Sequence, residues 1–408
     1  MEHQELIPHL FRIEYRKIVS VLCKRFGFGQ VETAEDIASD TFLTAAQMWP
    51  LNGIPEEPVA WLYSVARNKA KNYLQRNHVF ERKITQAVKD NAADIYEIDL
   101  SPQNISDSQL QMMFAICHPA IPPEAQIGLS LRILCGFGID EIADAFLTNK
   151  EMINKRLFRA REKLREEKIT IELPTQTEID VRLDTVLTTL YLLFSEGYYS
   201  ASQQQTLRKD LCLEAMRLCY MLVDNPYTNK PQVNALLSLM CFHASRFDAR
   251  INESGETVLY DEQDTSLWNG ELISKGGYFL QRATTGTIVS KYHLEASIAY
   301  WNTQKEDTRG KWENILQFYN HLLQLAYSPV AALNRTYALS KVKGKQEAIN
   351  EAEKLKLVTN HFYFTLLGEL YTGIDTNKAN ANLKRAIELA KTQVDKQIIQ
   401  KKIDRLVK

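Results

Sequence analysis

Apolar residues recur at intervals of three and four along most of this 408-residue chain, and little interrupts them: there are 16 glycines and 12 prolines. Such spacing matches one face of an α-helix at 3.6 residues per turn. So low a share of turn-forming residues leaves little room for a many-turned β architecture or a collagen-like one. The expected fold is all-α. With 45% apolar and 24% charged residues the chain has the balance of a packed globular protein rather than a disordered one. At about 150 residues per domain, its length predicts two or three domains.

Residues 6 to 26, 31 to 49 and 59 to 77 each carry a helical stripe and together predict a compact helical unit, given the bounds 1–80. In the second, Ala34, Ile37, Ala38, Thr41, Ala45 and Met48 form the stripe and leave Glu35, Asp36 and Asp40 elsewhere. In the third, Leu62, Ala66, Ala70 and Tyr73 face inward, while Arg67, Asn68, Lys71, Asn72 and Gln75 share the opposite side. From 81 to 108 the periodicity fades into polar residues, which predicts a linker. Helical spacing resumes for a second small domain, 109–170. Beyond Pro174 the composition shifts to Leu, Ala and Tyr, and the helical pattern of a third, larger part occupies 181–408, interrupted at 251–264 by an alternating stretch that fits a short hairpin.

Within that last part a period of 34 residues pairs Leu333 with Leu367, Tyr337 with Tyr371, Ile349 with Leu383, Ala352 with Ala386 and Leu355 with Leu389. Thirty-four is the period of the tetratricopeptide (TPR) repeat, and Leu367-Gly368-Glu369-Leu370-Tyr371 fits the core of that repeat. Stacked helix pairs bury their cores between neighbours and offer an extended surface for binding, not a catalytic centre. Glu196-Gly197-Tyr198, after an apolar helix, reads as a helix C-terminus.

Net charge is −1, with 49 basic and 50 acidic residues, but two segments are locally basic. From Lys150 to Lys168 eight basic residues face four acidic ones. A short helix at Ile139 to Phe146 with Ile142, Ala143 and Phe146 inward, a turn at Leu147 to Asn149, and a second helix burying Ile153, Leu157, Ala160 and Leu164 together predict a helix-turn-helix. That leaves Asn154, Lys155, Phe158, Arg159 and Glu162 for a groove, where cations gain from counterion release and can bond guanine edges. The other basic segment, 61 to 83, interleaves Arg67, Lys69, Lys71, Arg76, Arg82 and Lys83 with Trp61, Tyr63, Tyr73 and Phe80. Phosphate contacts beside stacking faces suit unpaired bases. The plainer reading makes these solvated helices with Tyr73 in the core.

Gly-rich phosphate loops, HExxH, GxSxG and metal-spaced Cys/His pairs do not occur, so no enzymatic activity, metal or cofactor is expected. Six cysteines lack CxxC spacing and mostly lie in apolar stretches, as buried thiols in a reducing cytoplasm do. Glu2 and Glu5 precede any apolar run, and no run approaches the roughly 18 apolar residues of a membrane span; no membrane association is expected.

The two basic segments, in this order and separated by a linker, resemble regions two and four of the extracytoplasmic-function (ECF) class of bacterial RNA polymerase sigma factors. AEDIASDTFLTAAQMW looks like the polymerase-binding helix of region two, PVAWLYSVARNKAKNYLQR like its promoter-melting part, and IDEIADAF with KRLFRAREKLR like the minus-thirty-five reader. The larger C-terminal part is similar to the subgroup fused to a tetratricopeptide-like extension. The resemblance implies that Asp36, Asp40, Phe42 and Leu43 contact core RNA polymerase. It implies that Trp61, Arg67, Asn68, Lys69, Asn72 and Arg76 handle the opened minus-ten strand, and that Asn154, Lys155, Arg156, Phe158 and Arg159 read promoter DNA at minus thirty-five. Asn72 stands where many relatives have Asp, and Asn154 where Arg is frequent. The expected partners are polymerase, promoter DNA and an intramolecular or protein partner of the extension. A stand-alone helix-turn-helix regulator with a sensory domain, or a TPR-type scaffold, are the alternatives.

Overall fold

The computed structural model describes residues 3–84, 97–146, 148–198, 209–251 and 258–407. Among them there is no β-strand. Of the hairpin expected at 251–264, residues 252–257 lie outside the described residues; beside them Val258 N–H donates to Arg250 O at 2.8 Å, a lone bridge, and Tyr260–Glu262 is a 3-10 turn where a strand was expected. The fold is all-α, as expected, and divides into two compact units, Met1–Leu192 and Leu193–Lys408.

The first unit opens with α1 (His3–Phe26), α2 (Val31–Asn52) and α3 (Pro58–Ile84). Gly27, at φ 80°, ends α1 with its N–H on Cys23 O; this left-handed backbone suits a residue without Cβ. The α2 stripe consists of Val31, Ala34, Ile37, Ala38, Thr41, Phe42, Ala45 and Trp49. Met48, expected inside, is 42% exposed, because the stripe advances to Trp49, whose ring meets Trp61 at 5.5 Å. In α3, Leu62, Ala66 and Ala70 are fully buried. Tyr73 is half-buried, its ring on Phe26 and its hydroxyl donating to Gln30 Oε1.

Then follow α4 (Pro102–Ile116), α5 (Pro123–Leu129, extended by a π turn at Ser130–Leu134), α6 (Ile139–Ala145), α7 (Lys150–Glu166) and α8 (Gln176–Tyr198). Residues 102–108, read as linker, form the first two turns of α4: Pro102 fits the first helical position and Ser101 Oγ accepts from Asn104 N–H. These turns are polar in sequence, yet Ile105 and Ser108 are buried. In α6, Ile142 and Ala143 are buried while Phe146, expected inside, is half-buried. The α7 stripe is the expected one, Ile153, Leu157, Ala160 and Leu164. Leu147 lies outside the described residues. The beginning of α8 belongs to this unit: Arg182 donates to Phe114 O and Thr189 to Gln126 Oε1 at 2.9 Å.

The second unit holds the end of α8, with Glu196-Gly197-Tyr198 still helical, then α9 (Lys209–Asp224), α10 (Pro231–Ala244), α11 (Gly270–Ala283), α12 (Lys291–Asn302), α13 (Arg309–Leu325), α14 (Pro329–Lys343), α15 (Lys345–Leu355), α16 (His361–Tyr371), α17 (Thr376–Leu389) and α18 (Gln393–Val407). The 34-residue correspondence is spatial: Leu333 and Leu367 are buried in α14 and α16, Ile349 with Ala352 and Leu383 with Ala386 in α15 and α17. Two helix hairpins therefore bury matching positions. Gly368 lets α16 and α17 approach so closely that a Cβ there would lie 2.6 Å from Leu383 Cγ. All six cysteines of the chain are free and buried.

Candidate functional site

The acidic helix α2 carries Asp36, Asp40 and Leu43 on its exposed side, with Leu43 54% exposed. Phe42 does not join them. It is 4% exposed and its ring meets Phe11 at 5.0 Å, so the expected polymerase contact is corrected to a core position: residue 42 lies next to the apolar stripe, 43 beyond it. Glu32, Asp36, Asp40 and Leu43 follow one another at intervals of four, four and three and share one helical face.

On α3, Arg67, Asn68, Asn72 and Arg76 are exposed and Lys69 is half-buried. Lys69 Nζ lies 3.7 Å from Asp40, which brings together one residue from each expected set. Arg67 donates through Nε to Ile98 O at 3.0 Å. Trp61 is half-buried against Trp49. Below them Tyr63 donates to Glu14 Oε2 at 2.5 Å, and loss of hydration together with that carboxylate raises its hydroxyl pKa. Of the same basic segment, the side chains of Phe80, Arg82 and Lys83 lie outside the described residues.

Asn149 sets the start of α7: its side chain accepts from Met152 N–H at 2.8 Å, a cap for an otherwise unpaired donor. Opposite the buried stripe stand Met152, Asn154, Lys155, Phe158 and Arg159, with Phe158 56% exposed. Most other cations of this helix are engaged. Lys150 pairs with Asp140, Lys163 with Glu167, Arg165 with Glu162, and Arg161 with Glu32. Arg156 lies half-buried over the Phe146 ring at 5.4 Å. Lys155 and Arg159 make no ion pair among the described residues, so a flank of two cations around an exposed aromatic remains.

The sequence did not single out four residues that join the two modules of this unit. Arg132, on the π turn after α5, forks onto Glu35, Nε to Oε1 at 2.7 Å and Nη2 to Oε2 at 2.9 Å, while its Nη1 donates to Phe137 O. Burial alone would lower the guanidinium pKa, but the hydrogen bonds and charge of Glu35 raise it above its ordinary value. Arg161 Nη2 lies 2.9 Å from Glu32. Between α2 and α7 runs a cleft of about 200 Å³, lined among others by these four side chains, Leu157 and Asn154. Only the acidic clustering on α2 hinted at such a contact in the sequence.

Residues 10–79, which take in most of α1, all of α2 and most of α3, match the family model of sigma-70 region 2. Residues 182–284 match a family of unknown function, DUF6596. An uncharacterized protein of Rhizobium meliloti (strain 1021) is 30% identical over 387 residues, 93% of this chain and 91% of that protein. The RNA polymerase sigma factor YlaC of Bacillus subtilis (strain 168) is 26% identical over 170 residues, 40% of this chain and 93% of that factor. No solved structure matches. No helix among the described residues is long and apolar enough to cross a membrane.

Proposed function

We propose a division of labour for this chain, which belongs to the ECF class of RNA polymerase sigma factors with a C-terminal extension: α2 binds core RNA polymerase, α3 handles the opened minus-ten strand, and α7 reads duplex DNA at minus thirty-five. The match of residues 10–79 to sigma-70 region 2 carries the α2 and α3 parts of this reading; the α7 part rests on its exposed Lys155, Phe158 and Arg159. Supporting it, Asp36, Asp40 and Leu43 sit on one exposed face of α2, a surface suited to a basic helical partner. Asn68, Asn72 and Arg76 are exposed on α3 with Trp61 near its start, so polar groups and an aromatic ring are at hand for bases that leave the stack at a cost of about a few kcal/mol.

In this reading α6 and α7 form a DNA-binding helix-turn-helix. Lys155 and Arg159 bond phosphates or guanine edges and Phe158 makes apolar contact in the groove, with Asn154 beside them. Arg156, turned onto Phe146, contributes less. The hairpins of the second unit act as a tetratricopeptide-like platform through which promoter reading is regulated.

Reconstituted transcription tests the assignment. With core polymerase and a cognate promoter the chain is expected to give specific transcripts; Lys155→Glu with Arg159→Glu abolishes them while polymerase is still bound, and Asp36→Arg with Asp40→Arg loses the polymerase. Binding of duplex DNA without any polymerase-dependent transcript would identify a stand-alone regulator, and neither activity a scaffold.

A further inference from the structure

We infer that one end of the helix stack in the second unit, formed by the turns that lead into α12, α14 and α16, is a self-association surface on which a second copy of this chain docks, antiparallel, about a two-fold axis near Tyr327. The inference goes beyond the function proposed above and does not depend on it.

Short connections make consecutive helices antiparallel, so the turns 284–290, 326–328 and 356–360 share one end of the stack and 303–308, 344 and 372–375 the other. Common cores bring the three helix starts together: Leu294 of α12 shares one with Ala331 of α14, and Leu333 of α14 shares another with Tyr363 of α16. The end they form is apolar. Ile288 and Val289, Leu325 and Tyr327, and Val358 and Phe362 stand in or beside these turns, each more than half exposed. The opposite turns carry Lys305, Glu306 and Asp307, and Ile374 is their one exposed large apolar residue. A residue preceding a helix can staple onto its fourth position, but Val289 at 55% and Tyr327 at 65% exposure keep most of their surface in water.

Area and charge select the occupant. These side chains together present roughly 600 Å² of apolar surface, the upper end of the largest patch on a typical monomer. With a polar rim they approach the roughly 800 Å² that each partner buries in a standard interface. The three turns, TTGTIVS, AYS and KLVTN, hold no carboxylate and one cation, Lys356. A strongly charged partner, an anionic membrane included, finds little there to pair with, whereas an equally uncharged apolar surface fits. The row is also self-complementary. An isologous contact matches a patch with itself: with the axis at the middle turn, Tyr327 faces its own copy, Ile288 and Val289 face Val358 and Phe362 of the second copy, and Lys356 faces the threonine-rich 284–287 rather than another lysine. The turns are fixed in advance. Ser328 Oγ and Asn360 Oδ1 accept the N–H groups of Ala331 and Phe362 at 3.1 and 2.9 Å. His293 accepts Ser290 N–H at 3.0 Å and donates to Ala283 O at 3.1 Å, closing the longest of the three. Association therefore has little left to order.

Sedimentation velocity of the full-length chain, from about 1 to about 100 μM, tests this. The parent is expected to move toward twice the chain mass as concentration rises. Tyr327→Asp with Val358→Asp, both at exposed positions, should stay monomeric over the whole range with unchanged helical content. Ile288→Asp alone should weaken association about tenfold, since a two-fold contact meets every substitution twice. Position gives a second arm. All six native cysteines are buried, so Tyr327→Cys offers one accessible thiol, and a short bismaleimide linker should join two Tyr327→Cys chains but not two Ile374→Cys chains. A parent that stays monomeric over the whole range, or a dimer indifferent to the aspartates, overturns the inference, and so does equal linking at position 374. Should a monomeric parent sediment with vesicles of phosphatidylglycerol and lose this on the same substitutions, the end belongs to a lipid surface and the second copy is wrong. None of these readouts uses polymerase or promoter DNA, so the proposed function stands or falls separately.

Discussion

Phe42 and Leu43 are neighbours on α2 with opposite surroundings, one 4% and the other 54% exposed. Deleting a buried phenylalanine ring removes transfer energy and leaves a cavity, so Phe42→Ala should cost about 3–5 kcal/mol, read as a lower urea midpoint for the first unit. Leu43→Ala should leave that midpoint unchanged and weaken polymerase capture. His243 gives a residue-scale prediction of a different kind. It lies among the rings of Phe194 and Tyr198, and loss of hydration, then the charges of Arg246 and Arg250, hold its pKa well below the ordinary value. The unfolded chain, with a pKa of about 6.5, binds a proton there that the folded chain refuses. Stability of the second unit is therefore complete above about pH 6.5 and falls below it, by up to about 1.4 kcal/mol per pH unit for this group. Thermal midpoints at pH 7.5 and 5.5 should diverge, and His243→Gln should narrow the gap.

Elements were legible where one helix buries one stripe. The α7 stripe was read residue for residue from the sequence, because a helix face wants apolar residues whatever packs on it. The end of α2 was misread from Met48 to Trp49: both residues suit a stripe, and only the Trp61 ring at 5.5 Å decides between them. Helix contact also separates two adjacent glycines on α11. A Cβ on Gly276 would fall 2.6 Å from the buried Phe242 ring, whereas nothing lies within 4 Å of one on Gly277. Gly276→Ala should therefore overpack the α10–α11 contact and cost about 1–3 kcal/mol. Gly277→Ala should stabilise the helix by up to about 1 kcal/mol. Opposite shifts of the second unit's urea midpoint are the expected result.

At the scale of the whole molecule, the division between compact units falls at Leu192 to Leu193, inside α8, not before it. The expected third part began at 181, because composition shifts after Pro174. Yet Arg182 bonds Phe114 O and Thr189 bonds Gln126, both in the first unit. A chain ended after Leu173 should consequently lose these contacts along with the buried Ile179, Leu183, Val186 and Leu190. Its thermal midpoint should fall below that of a chain ended after Tyr198, measured by circular dichroism on both. A comparison of promoter activity with and without the extension belongs on the longer of the two.

By itself the sequence determined the all-α class, most helical stripes, the 34-residue correspondence and the exposed Lys155, Phe158 and Arg159. Each follows from local periodicity, since burial of one face is written into every turn of a helix. Tertiary structure decided which charges meet. Glu35 and Arg132 are 97 positions apart, Glu32 and Arg161 129, and nothing local distinguishes them from other surface charges. A carboxylate's partner depends on where two helices come to rest, and that is fixed by the packing of their apolar faces, not by the charged residues themselves.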